Sequence, residues 1–173
     1  YLLLSAQYES YIIPWAVILS IPFGLMGAFI FAGIEGISNN VYLQIALIML
    51  IGLLAKNAIL IVEFALERRR TGMSIVNAAI QGATARLRPI LMTSLALIIG
   101  LLPMMFAHGV GANGNRALGT GSIGGMLIGM ILQVLIVPAL FVAFQIIQEK
   151  FSPLKWKDTD NAGIEAEIEQ YSR

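Results

Sequence analysis

The sequence predicts an all-α integral membrane protein with four complete transmembrane helices and a truncated N-terminal helix before them. Three observations predict it. Of 173 residues, 58% are hydrophobic and only 12% charged, with a mean hydropathy of +0.82; a soluble domain of this size needs far more polar cover for its surface. The apolar residues gather into four runs, each near or above the ~20 residues that a helix needs to cross a bilayer. The segments between the runs are rich in Gly, Asn and Ser or in Arg, compositions that cannot stay in hydrocarbon.

Taken in order, residues 1–8 open on Tyr1 with an apolar stub that has neither the basic start nor the cleavage pattern of a signal peptide, and they read as the end of an earlier membrane helix. The first complete span covers 12–32 and carries Pro14 and Pro22, which remove backbone hydrogen bonds and permit kinks. A turn of Gly, Ser and two Asn over 33–40 leads to the second span, 41–64. Residues 65–88 form a longer basic connector, in which Met73, Val76, Ile80 and Ala83 recur at helical spacing and predict a short helix lying along the membrane surface. The third span, 89–107, starts at Pro89 and contains Pro103. A Gly/Asn-rich turn over 108–117 precedes the fourth, 118–144, which contains Pro138. Residues 145–173 form a tail that turns polar and acidic after Pro153.

Basic residues set the orientation. Arg68, Arg69, Arg70, Arg86 and Arg88 lie between the second and third spans, and Lys150, Lys155, Lys157 and Arg173 follow the fourth, whereas the two remaining connectors hold only Arg116. The basic side, with the C-terminus, is expected in the cytoplasm. A net charge of +1 and the confinement of basic groups to span ends argue against nucleic acid as a partner and leave membrane lipid as the surroundings. Zero cysteines exclude disulfides and thiolate metal sites. No phosphate-cradling glycine loop, no nucleophile with a base and no metal-ligand spacing is present, so the chain does not read as an enzyme and calls for no cofactor.

Lys56 is the residue the composition does not explain. It sits inside the second apolar run, where a lysine costs roughly 2.5–3.5 kcal/mol on insertion scales and persists only with a partner or a watery cavity. Snorkelling is the alternative, but eight residues separate Lys56 from Phe64, ~12 Å along a helix, which the side chain spans only in part. Glu63, two turns on, fits better as a charge near the helix end than as its partner. Thr93, one turn into the third span, reaches a comparable depth if the two spans are antiparallel neighbours; taken alone, Thr93 and Ser94 suit hydroxyls bonded back to their own helix better than they suit a functional site. Arg86 and Arg88 lie where basic residues flank spans in any case. None of the four runs holds an acid deep in its interior. A proton-coupled site needs a carboxylate, so one serving Lys56 must come from elsewhere. In the last span Gly121, Gly125 and Gly129 recur every fourth residue, a bare face that another backbone can approach closely.

Gly52 to Phe64 with Lys56-Asn57 at its centre, Arg86 to Ser94, and Gly119 to Met126 resemble, in order and spacing, the C-terminal membrane segments of the resistance-nodulation-division (RND) inner-membrane efflux transporters. The resemblance covers residues 1–150 and points to the hydrophobe/amphiphile branch. It implies a twelve-helix bundle of which this chain supplies the end of helix eight to helix twelve. It also implies a bacterial inner-membrane homotrimer working with a periplasmic adaptor and an outer-membrane channel, exporting drugs in exchange for protons, the coupling ion. In such a pump an aspartate pair on the N-terminal half faces the positions of Lys56 and Thr93, with Asn57 beside the lysine in the relay and Arg86 at the cytoplasmic mouth of the proton path. Those aspartates and both periplasmic insertions are not in this sequence, so the chain is expected to contribute to a relay without completing one. Two other readings stay open: a helical scaffold or partner-binding bundle without transport, and a transporter from elsewhere in the RND superfamily. Coding sequence continuing upstream of Tyr1 discriminates against the first, and the Lys-Asn pair with Thr93 weighs against the second.

Overall fold

The computed structural model describes residues 1–151, which form five helices: α1 (Leu2–Tyr8), α2 (Pro14–Ile34), α3 (Val41–Arg70), α4 (Ile75–Met105) and α5 (Ala112–Phe151). No strand occurs among the described residues. The acidic part of the tail, from residue 152 on, lies outside them. Helices α2 to α5 are each long and apolar enough to cross a membrane, so the chain is a multi-pass membrane protein.

Local chemistry sets the ends. Pro14 begins α2 at the first-turn position, where its missing N–H costs nothing, and Gly36 takes the left-handed φ of 65° that stops the same helix. Asn40 caps α3 by accepting from the Leu43 N–H at 2.9 Å. Three arginines close the last turn of α3, where the helix dipole favours cations.

Helix bounds differ from the apolar runs in α3, α4 and α5; α5 takes in residues 112–117 of the expected turn and 145–151 of the expected tail, running from Ala112 to Phe151. Helix α3 continues past Phe64 through Ala65-Leu66-Glu67-Arg68 to Arg70, because these strong helix formers extend the hydrogen-bonded ladder after the apolar stretch has ended. The surface helix expected in 65–88 and the span expected from Pro89 are instead one unbroken helix, α4, started by Ser74, whose Oγ accepts from the Asn77 N–H at 3.4 Å. Pro89 does not break it. The loss is one internal hydrogen bond, and the Thr93 hydroxyl donates back to the Pro89 carbonyl at 3.0 Å.

Helix α5 is the hub, packed on α2, α4 and α3. A Cβ placed on Gly121 would lie 2.6 Å from Leu43 of α3, and one on Gly129 would lie 2.8 Å from Leu54 of α3 and 3.1 Å from the Gly24 Cα of α2. Helices this close need bare backbone. Around the crossings lie two apolar clusters, one with Leu50, Leu54, Ile98 and Met126, the other with Tyr8, Ile61, Val137 and Phe141 towards the Arg-rich end. Large apolar side chains such as Ile48, Met92, Leu95 and Ile99 point outwards, which suits lipid or neighbouring helices.

Candidate functional site

The α3–α4 hairpin holds the site. Its two helices meet closely at Gly82, where a Cβ would come within 3.0 Å of the Ala65 backbone. Further along, they leave a cleft of ≈ 180 Å³ floored by Met126 of α5 and lined by Lys56, Asn57, Arg86 and Thr93 among apolar residues such as Leu60 and Ile90. Residues 30 apart on separate helices thus share one cavity, through the antiparallel packing of two spans joined by a tight turn.

The cleft is cationic and under-satisfied. Lys56 and Arg86 both line it, no carboxylate does, and among the described residues neither forms an ion pair. The Asn57 amide nitrogen and the Arg86 Nε are buried without a hydrogen-bond partner. Donors in this condition are costly unless an acceptor arrives. Arg86 is held from one side: its guanidinium lies 5.1 Å from the centre of the Phe64 ring, which Arg68 also approaches at 4.9 Å. Thr93 is less free, since its hydroxyl donates to the Pro89 and Ile90 carbonyls at 3.0 and 3.1 Å. Lys56 itself is solvent-accessible in the isolated chain, on a stripe of α3 with Ile48, Gly52 and Glu63 that no described residue covers.

Two features escaped sequence reasoning. Arg69, only 4% exposed, grips Glu149 of α5 through two bonds of 2.8 and 3.0 Å and donates to the Met73 carbonyl at 2.6 Å. Nothing local marks a pair eighty residues apart. The other is Gln133, 1% exposed in the middle of α5, whose amide nitrogen donates to the Leu54 carbonyl of α3 at 2.7 Å. It did carry a signal, as the sole amide in the apolar stretch from Ile123 to Phe144.

Lipid-length helices with two cations and no carboxylate lining a cleft between α3 and α4 define an integral membrane protein that carries charge within its spanning segments. The model of the AcrB/AcrD/AcrF family matches residues 1–145, and the chain belongs to that family of RND multidrug efflux transporters. It is 47% identical over 166 residues to the toluene efflux pump membrane transporter TtgB of Pseudomonas putida, a match covering 96% of this chain and 16% of that protein. The multidrug resistance protein MdtF of Escherichia coli is 47% identical over 152 residues, 87% of this chain and 15% of its own length. Toluene efflux pump membrane transporter TtgE of Pseudomonas putida is 46% identical over 143 residues, 82% of this chain and 14% of its own length. This chain therefore spans about a sixth of the length of the relatives it matches.

Proposed function

We propose that this chain forms the C-terminal membrane helices of a proton-driven RND pump, a substrate/proton antiporter, and supplies the basic side of its proton relay. The observation that carries the reading is the cleft itself: Lys56, Asn57, Arg86 and Thr93 share a cavity that holds two cations and lacks a carboxylate. An acid from the rest of the pump, the aspartate pair that the family resemblance implies, completes it. Family membership makes small hydrophobic compounds the substrate class, and two of the similar transporters are named for toluene.

In this reading the ionised carboxylates hold Lys56 and accept from the orphaned Asn57 amide. Protonation of one of them removes half of that attraction, and Lys56 turns towards Thr93, whose hydroxyl oxygen accepts from the ammonium on a lone pair while its proton stays on the back-bond. Helices then shift over the bare glycine face of Gly121, Gly125 and Gly129. A local change of charge thereby biases a two-state bundle. Arg86, at the Arg-rich end of the cleft, keeps the exit for the proton polar. That end faces the cytoplasm, with the C-terminus, in the bacterial inner membrane. The assembled pump is a homotrimer joined to a periplasmic adaptor and an outer-membrane channel.

The test is a chimera in which this chain replaces the matching 166 residues of the Pseudomonas putida toluene pump transporter, produced in a pump-deficient host. Lys56→Met should abolish toluene efflux driven by an imposed proton gradient while leaving membrane assembly intact. Efflux at the parent rate in that variant would end the proposal.

A further inference from the structure

Helix α5 carries Gly121, Gly125 and Gly129 at intervals of four, and the next position on that face is Gln133. The three glycines lie against Leu43, Leu50 and Leu54 of α3. A face without side chains lets two helices approach but gives little to fix how far along each other they stand. Gln133 ends that smoothness. It is 1% exposed, and its amide nitrogen donates 2.7 Å to the Leu54 carbonyl, a directional contact that holds one axial position of α3 against α5.

This bond is not required by the backbone. Leu54 lies inside an unbroken helix, so its carbonyl already accepts from the N–H four residues on. Nor is it an economical way to bury a side chain. A carbonyl can only accept, so the amide must present its nitrogen there, and its Oε1 is left buried without a partner. An apolar side chain of similar volume would satisfy the packing and leave no orphan. A buried group that stability does not call for, bonded to a carbonyl two residues from the one lysine of the apolar run, points to function.

We propose that Gln133 is a positioning residue for the relay: its hydrogen bond to the Leu54 carbonyl pins α3 against the glycine face of α5 in the register that presents Lys56 and Asn57 to the α3–α4 cleft. The inference rests on the relay reading and extends it to a residue on a third helix that does not line the cleft. Lys56 lies ~3 Å further along the axis than Leu54, so a small slip of α3 moves its ammonium by a distance comparable to a hydrogen bond.

The chimera described above tests it with two substitutions. Gln133→Met keeps the volume and removes the donor. It should assemble and unfold like the parent, with the maximal rate of toluene efflux lowered about three- to tenfold, as the loss of a net hydrogen bond implies, and KM unchanged. Gln133→Glu restores a donor only while its carboxyl is neutral. It should recover the parent rate at acidic pH and lose it as rising pH ionises the group while assembly stays constant over the same range, whereas a purely structural role loses assembly and rate together. Parent-like efflux by Gln133→Met overturns the proposal, and so does Gln133→Glu behaving as Gln133→Met at every pH. Failure of Gln133→Met to assemble overturns it too, by making the glutamine a structural residue. Lys56→Met separates the two ideas: if that variant still pumps, the relay reading has failed, whereas an inactive Lys56→Met beside a parent-like Gln133→Met removes only the pin.

Discussion

Arg69 and Lys56 are cations on the same helix, ~20 Å apart along its axis, and their surroundings are opposite. Arg69 is buried, bonded twice to Glu149 and once to the Met73 carbonyl, with the Gln145 amide donating to the same carboxylate at 3.1 Å. Its charge is answered wholly within this chain. Lys56 faces a cleft with a second cation, an orphaned amide and no acid. A charge balanced inside the chain ties helices together, here the Arg-rich end of α3 and the C-terminal end of α5. A charge left open has no counter-charge among the described residues.

The largest test of that contrast is to remove each cation in turn and measure unfolding of the purified chain in detergent. Arg69→Ala strands Glu149 beside a vacated site, and breaking such a pair costs about 3 kcal/mol, the lower end of the usual range because Glu149 keeps 21% of its side-chain surface exposed. Glu149→Ala should cost a similar amount. Lys56→Met should leave stability within ~0.5 kcal/mol of the parent, since Lys56 forms no ion pair among the described residues. Equal destabilisation by Arg69→Ala and Lys56→Met would erase the distinction between a structural and a poised charge.

How far the sequence led differs in the same way between the two ends. The four spans, their order and the residues of the cleft were legible because hydropathy, turn composition and the cost of a lysine in an apolar run are local signals. The full extents of α3 and α4 were not: Ala65 to Arg70 continue α3 without being apolar, and the short helix expected in 65–88 runs without a break through Pro89 into the third span. A proline at the head of an apolar run marked a boundary that the backbone does not have. The Arg69–Glu149 pair was invisible for another reason: its partners are joined only by the folded arrangement of α3 and α5, and three consecutive arginines gave no sign which would turn inward. Gln133 was readable by the rule that singled out Lys56, but an uncharged amide draws less notice than a cation.

A middle-sized effect sharpens the contrast through glycine. Near Arg69, Gly82 of α4 faces Ala65, and an added Cβ would meet the Ala65 Cβ at 2.8 Å and its backbone at 3.0 Å. Neither helix can yield there without reopening the hairpin. Gly82→Ala should therefore destabilise the chain by about 1–3 kcal/mol, the usual penalty for overpacking, although alanine is the better helix former. Unfolding at the parent midpoint would show that the hairpin is looser than its distances imply.

The smallest effect comes from the glycine beside Lys56, and its sign is the informative part. Gly52 lies one turn before the lysine on the same stripe of α3, and a Cβ there meets no atom within 4 Å. In the isolated chain Gly52→Ala should stabilise the helix by up to ~1 kcal/mol, the difference in helix propensity between the two residues. In the chimera, where the rest of the transporter supplies the helices that face Lys56, the same methyl enters a contact between backbones, so the gain should vanish or reverse and toluene efflux should fall. A substitution that stabilises the part and harms the whole is expected only if the open face of α3 is a face that closes on assembly. Stabilisation of equal size in both settings would leave Lys56 looking out at lipid, with no acid brought to it.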